Sequence, residues 1–502
     1  MLAHLLVARR SPITHPRLPW RVACSRRPIH RPLRKLPVHE GMRFKRNFVP
    51  LLPLLLFACG GDANTSGRTP VADKWLERGK ASYRAGDFDD AEQSATSGIG
   101  AAPHDPELRT LKAKTALTRL AYGEALKFTE GLTNAEALSI RGRALFYSGK
   151  IEEAGEVLDT YLRDPEIKDA WARDIARLAR GASSRHPFEI EGTVGVVEMP
   201  DAGHASIVPC ELDGERILAM VATASAELVV DSSERKEPSW VSLRFGDRFE
   251  VRDVPALTQD LGALSQKLGA PIKALIGTEV LRHLHATVDR RGDQFVVRKE
   301  DAPQPPGAAR APLSYLRGGA LVMHAALAEK DTLSAFLIDS AQPFLLTLND
   351  SGWKRSGAKD ALKGDPSLPP EIKTANLPFL KVGSFDFSGA PGLQGVPMDA
   401  AVTDVELAGV FGAALLSSFR FTFIEEGRSA WLEPDPNVFV ARGALSKEAL
   451  DPMPEETLPQ LPELKDPTAK DPKGKGAKTN DPKSKAPTPP PAAKKPDTKK
   501  TP

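Results

Sequence analysis

The chain is poor in cysteine, with Cys24, Cys59 and Cys210 as its 3 thiols in 502 residues. That number cannot build a disulfide framework, and there is no Cys-x-x-Cys pair or Cys/His metal spacing. Aromatic residues make up only 6%, and the net charge of +3 is too small to argue for a nucleic-acid partner. No aromatic–basic stripe suggests one either. Gly-x-Ser-x-Gly, His-Glu-x-x-His and phosphate-loop patterns are all missing, so no cofactor and no metal is expected. The most apolar run, between Phe48 and Phe57, is too short to cross a bilayer as a helix. What remains is apolar content of 41%, enough for real cores, and 44 prolines, which point to substantial unstructured sequence.

Residues 1–41 are rich in Arg, His and Pro, with no acid before Glu40 and no helix or strand period. They read as an over-extended start or an unstructured extension, because Met42 opens a more ordinary beginning. Met42-Arg43-Phe44-Lys45-Arg46 is positive, an apolar stretch follows, and Leu56-Phe57-Ala58-Cys59-Gly60 ends it. This resembles the lipobox of bacterial lipoproteins. The resemblance implies a signal peptide over 42–58, acylation of Cys59 and a linker over 59–70. Two or more acyl chains would hold the protein on a membrane where one is marginal. Gly60 stands where inner-membrane retention would use aspartate, so the expected address is the outer membrane, facing the periplasm.

From Val71 the period becomes helical. Trp75, Gly79, Ala81, Tyr83, Gly86, Phe88, Ala91 and Pro103 fall at the offsets of a tetratricopeptide (TPR) repeat, which this segment resembles. Small residues at Gly79 and Ala91 let two helices approach, and Gly86 permits a tight turn. Ala91 recurs as Ala125, 34 residues on, with Tyr122 placed as Phe88 is. Gly142, Gly149, Ile151, Ala154 and Pro165 mark a third copy after a shortened second. Three repeats are about the minimum for a stable stack. Asp169 to Gly181 would cap it, giving a helical segment over 71–183 suited to scaffolding or peptide binding.

From Phe188 onward, apolar residues alternate with polar ones, as in strands, and Leu212-Asp213-Gly214-Glu215 reads as a hairpin turn. This part then lines up with itself. Val221-Ala222-Thr223-Ala224 matches Ile338-Asp339-Ser340-Ala341, and Leu243-Arg244-Phe245-Gly246 matches Leu380-Lys381-Val382-Gly383. Val254-Pro255-Ala256-Leu257 matches Ala390-Pro391-Gly392-Leu393. Gly277, Leu281, Leu284 and Thr287 match Gly412, Leu416, Phe419 and Thr422. Offsets drift from 117 to 137, the mark of a duplicated lobe with insertions. Each lobe resembles a retropepsin-like aspartic protease unit, over 188–300 and 312–434, joined by a linker at 301–311.

The resemblance implies that an acid should stand in each lobe. Aspartic proteolysis uses two carboxylates sharing one proton, one acting as base on water and the other protonating the scissile carbonyl. Asp339, with Ser340 and Ala341 in the same loop, fits the role in the second lobe. Ala222 occupies the matching position in the first, where the acid is lost. Glu227 and Asp231 lie further along that segment, and Glu227 would need the loop to be rebuilt. His283 and His285, near Glu279, suggest a metal only weakly and are expected at the surface.

Residues 440–502, dominated by Pro, Lys, Asp, Ala and Thr, cannot bury a core and read as a disordered tail. The expected fold class is α+β and multidomain. A TPR-like α-helical repeat stack precedes an all-β, two-lobed pepsin/retropepsin-like acid-protease fold, between disordered termini. The expected function is an envelope lipoprotein whose protease-like domain is catalytically impaired. It would bind peptide or protein ligands through the repeats and the inter-lobe cleft, with a membrane contact through Cys59 and no nucleic acid. The competing expectation is an active aspartic endopeptidase using Asp339, as a homodimer or with a second acid not yet recognised.

Overall fold

A computed structural model of the chain describes residues 68–183, 185–396 and 404–434, and the backbone of a short strand at Arg21–Ala23 that pairs antiparallel with Phe385–Ser388. Met42, the lipobox with Cys59, and the Pro/Lys-rich tail lie outside the described residues.

Seven helices open the described chain: α1 (Pro70–Arg84), α2 (Phe88–Ala101), α3 (Pro106–Thr118), α4 (Tyr122–Thr129), α5 (Ala135–Tyr147), α6 (Ile151–Tyr161) and α7 (Ala170–Ala179). Their starts are written locally. Thr69, Asp87, Asp105, Asn134 and Asp169 each accept a backbone N–H of the first turn, the ordinary N-cap arrangement. Pro70 and Pro106 begin their helices, where a missing N–H costs nothing. Gly86 and Gly149 turn α1 into α2 and α5 into α6, both at φ +79°. A Cβ on Gly79 would come within 2.7 Å of Leu111 and 3.2 Å of Ser94, so the small residue sets the helix spacing. The expected short second repeat is the pair α3 and α4, in which α4 has only 8 residues. This is a TPR-like helical stack, and α7 closes it.

The β-rich body follows, and its two lobes share one connectivity. In the first, Glu215–Val221 runs parallel to Ile272–Ile276, Leu228–Asp231 lies antiparallel to the latter, and Phe249–Gln259 lies parallel to Leu228–Asp231. In the second, Ser334–Asp339, Gly409–Gly412, Leu346–Leu348 and Ala390–Gln394 repeat those three relations in the same order. The fold class expected from the sequence is thus the one observed. The Asp213-Gly214 turn joins Ile207–Leu212 to Glu215–Val221 with both residues at positive φ, as a two-residue hairpin requires.

A six-stranded sheet joins the lobes. Three strands come from each half, in the order Ala309–Pro312, Ser429–Pro434, Phe419–Ile424, Thr287–Asp289, Gln294–Arg298, Val194–Glu198. Its middle pairing sets Thr287 opposite Thr422, with their hydroxyls 2.9 Å apart. These are the residues that the internal alignment matched to each other, so a pseudo-twofold axis passes between them. Apolar side chains from both lobes form one continuous core around this sheet, with Phe336 and Phe411 stacked at 4.2 Å inside the second lobe.

Candidate functional site

The two loops carrying the matched motifs meet on the same pseudo-axis. Thr223 donates its hydroxyl to the Ile338 carbonyl (2.8 Å) and accepts the Ser340 N–H (3.0 Å). Ser340 donates its hydroxyl to the Val221 carbonyl (2.7 Å) and accepts the Thr223 N–H (3.1 Å). Both side chains are buried. The four bonds are a reciprocal set, which fixes Ala222 and Asp339 as equivalent positions in the two lobes.

Each loop is backed by the apolar-Gly element that the sequence singled out. A Cβ on Gly277 would collide with the carbonyls of Ala226 and Glu227, and one on Gly412 with the carbonyl of Phe344. These glycines are needed for close approach. The Ala222 N–H is held by the Ile276 carbonyl at 3.0 Å, so the acid-less loop keeps its shape.

Asp339 ends its strand half-buried. Burial raises its pKa above the ordinary aspartate value, partly offset by the Ala341 N–H at 3.0 Å, the Gln342 side chain and the charge of Lys267. No second carboxylate is hydrogen-bonded to it among the described residues. Ala341 packs in an apolar cluster with Leu264 and Leu268 of the short helix Gly262–Leu268, which is how Lys267 comes near. Ala222 itself is 5% exposed.

The two acids downstream of Ala222 are committed elsewhere. Glu227 accepts the Tyr147 hydroxyl at 2.7 Å and the Trp171 indole N–H at 2.5 Å, both from the helical stack. Asp231 accepts the Ser233 hydroxyl at 2.7 Å and the Leu261 N–H, and lies 3.7 Å from Lys273. Neither stands in for the missing carboxylate. A pairing of two Asp339 residues from two copies meets a steric obstacle, because lobe 1 already fills the partner position through the Thr223–Ser340 bonds.

His283 and His285 are half-buried rather than on the surface, which corrects the expectation for both. His283 ends the short helix Thr278–His283 that follows Gly277, and His285 lies two residues beyond it; that helix faces the repeat stack rather than solvent. Glu279 and Arg282 are buried as a bidentate ion pair, with bonds of 2.6 and 2.9 Å. His283 hydrogen-bonds Glu279 at 3.1 Å, and His285 bonds Asp301 at 2.7 Å. No group of three or more metal-ligating side chains occurs among the described residues.

The seam between the stack and the lobes carried no signal in the sequence. The carbonyls of Arg84 and Gly86 accept the Glu406 N–H at 2.6 Å and His324 Nε2 at 2.8 Å. Lys114 on α3 pairs with Asp404. The Gly318 turn sits against Tyr147 and Leu117 so closely that a Cβ would lie 2.8 Å from the Tyr147 ring. Arg282 reaches the Tyr147 carbonyl at 3.4 Å, and the Trp240 indole N–H reaches the Leu178 carbonyl at 3.4 Å. The contacts involve α1, α3, α5 and α7 in turn, so the lobes cover much of one long side of the stack.

No family model matches the chain, and no curated protein matches it. Among solved structures, the first TPR domain of human RPAP3 is 25% identical, over 22% of this chain and 91% of its own, at a TM-score of 0.21. The TPR2B domain of yeast Sti1, in a pHsp70 complex, is 22% identical over 24% of this chain and 100% of its own, at 0.21. Basic 7S globulin from soybean is 10% identical over 49% of this chain and 95% of its own, at 0.33.

Proposed function

We propose that this protein is a membrane-anchored envelope lipoprotein whose acid-protease-type body no longer cleaves and serves to bind peptides or partner proteins. The observation that carries the reading is Ala222 at the position equivalent to Asp339, in a loop pair that is otherwise fully bonded. A lone carboxyl cannot hold a proton for the carbonyl while serving as base on water, and that division of labour is what the two-acid mechanism needs. Glu227 and Asp231 have other partners. The lipid anchor is supported by the Leu56-Phe57-Ala58-Cys59 segment, and Gly60 after it supports the outer membrane as the proposed address.

The test is cleavage of a denatured protein substrate at mildly acid pH by three forms of the chain. The expected result is no cleavage by the wild type or by Asp339→Asn, and cleavage by Ala222→Asp. Wild-type cleavage that Asp339→Asn abolishes would overturn the reading and establish the endopeptidase instead. Anchoring is checked by incorporation of labelled palmitate, expected in the wild type and lost in Cys59→Ser. A wild type that takes up no label would sink the lipoprotein assignment.

A further inference from the structure

A cavity of about 350 Å³ opens where the stack and both lobes meet. Its walls are aromatic: Tyr122, Phe146 and Tyr147 from the stack, and Phe188 from the segment entering lobe 1. Three observations mark it as more than a packing gap. The Tyr122 hydroxyl is buried with no hydrogen-bond partner, an expensive omission for a polar group. Phe188 and Glu426, both in its lining, are non-glycine residues held at φ +59° and +55°. Such strain persists only where the surroundings enforce it, and it gathers at functional positions. The floor is the buried Glu279–Arg282 ion pair, in the kind of concave, mostly apolar pocket with few polar groups that binds small ligands.

The resident charges decide what fits. Arg282 already lies over the Tyr122 ring, 5.5 Å from its centroid, so a second cation would enter beside a fixed positive charge. An anion would meet Glu279 and Glu426. Arg282 offers it little, since two of its nitrogens are bonded to Glu279 and one of these also reaches the Tyr147 carbonyl. His283 stacks on Phe188 at 4.1 Å, and burial, with Arg282 beside it, lowers its pKa. We infer that this cavity takes a neutral aromatic side chain of a partner peptide, held by ring-to-ring contact with Tyr122 and Phe188, the two lining rings that are not fully buried. The inference rests on the reading of the protein as a peptide-binding body and names the side chain that body selects.

The experiment titrates the purified full-length chain with N-acetyl-tyrosinamide, N-acetyl-lysinamide and N-acetyl-glutamate amide, followed by saturation-transfer NMR. The tyrosine probe is expected to bind saturably and at least about tenfold more tightly than either charged probe. Ser148 is exposed at the mouth, so Ser148→Trp should block the cavity and weaken the tyrosine probe about tenfold without altering the thermal midpoint. Phe188→Gly suits the positive φ and should also abolish binding while the chain stays folded. Equal binding of a charged probe, indifference to both substitutions, or no saturable binding of any probe would each overturn the inference. Such a failure removes the cavity and leaves the Ala222→Asp test untouched. Proteolysis by the wild type would overturn the binding reading without changing which probe the cavity prefers.

Discussion

Thr223 and Ser340 exchange hydroxyl and amide hydrogen bonds across the boundary between the lobes, each serving at once as donor and acceptor for the other's loop. The exchange is complete although one loop carries Asp339 and the other Ala222. Its bonds therefore hold the lobes together independently of catalysis, and they can be measured as a structural unit.

Thr223→Val and Ser340→Ala should each cost about 1–3 kcal/mol, because each strands buried polar groups in the opposite loop. The double variant should cost clearly less than the sum, since the bonds are shared. Urea denaturation of the four proteins in a double-mutant cycle reads the coupling. Strict additivity would mean that the two loops are stabilised separately.

Asp339→Asn should be neutral or stabilising at neutral pH. Burial raises the Asp339 pKa in the folded chain above its ordinary value of 3.8. A raised carboxyl pKa means that the folded state favours the protonated form. Its contribution is fully present below the unfolded value and is lost as pH climbs through the folded one. The advantage of the asparagine variant should therefore grow across that rise. Thermal midpoints of both proteins measured from acid to neutral pH check it, and an advantage that shrinks with rising pH would contradict the assignment.

Glu227→Ala should weaken the joint between the stack and lobe 1 by about 1–3 kcal/mol for each donor it orphans, the Tyr147 phenol and the Trp171 indole. Glu227→Gln keeps an acceptor and removes a charge that burial disfavours, so it should cost much less. Hydrogen exchange at the ends of α5 and α7 distinguishes the two. The alanine variant should lose protection there and the glutamine variant should keep it.

Gly412→Ala should destabilise by about 3 kcal/mol, because the new methyl meets the Phe344 carbonyl, which accepts the Ala414 N–H beside the Leu345 carbonyl that accepts the Gly412 N–H. Gly100→Ala, where a Cβ meets nothing within 4 Å, is the matched control and should be close to neutral. Chemical denaturation of the pair gives the contrast directly.

The sequence made the repetition readable wherever a backbone requirement is local. Gly86 and Gly149 mark turns, Asp213-Gly214 marks a hairpin, and Gly277 and Gly412 mark close approach, so order and spacing exposed the stack and both lobes. Ala222 and Asp339 were legible as equivalent for the same reason. The Thr223–Ser340 bonds were not, because contacts across 117 residues leave no period in the chain. The seam was hidden more deeply. Glu227 reads locally as an acid near the Ala222 loop, whereas its carboxylate accepts from Tyr147 and Trp171. His283 and His285 were expected at the surface because nothing local says that the helix after Gly277 faces a neighbouring domain. Docking between segments depends on shape and charge assembled from distant residues, which alternation and propensity do not encode.

The Thr287–Thr422 pairing at the centre of the shared sheet has a consequence for how this molecule could change. In an assembly of two identical chains, any substitution at the acid strikes both halves together, and symmetry forbids a half-measure. Here the halves are covalently joined and numbered separately, so one loop carries Ala222 while its twin, bonded to it, carries Asp339. Covalent linkage thus makes the two loop positions independent of each other, although the loops that hold them are bonded as a pair.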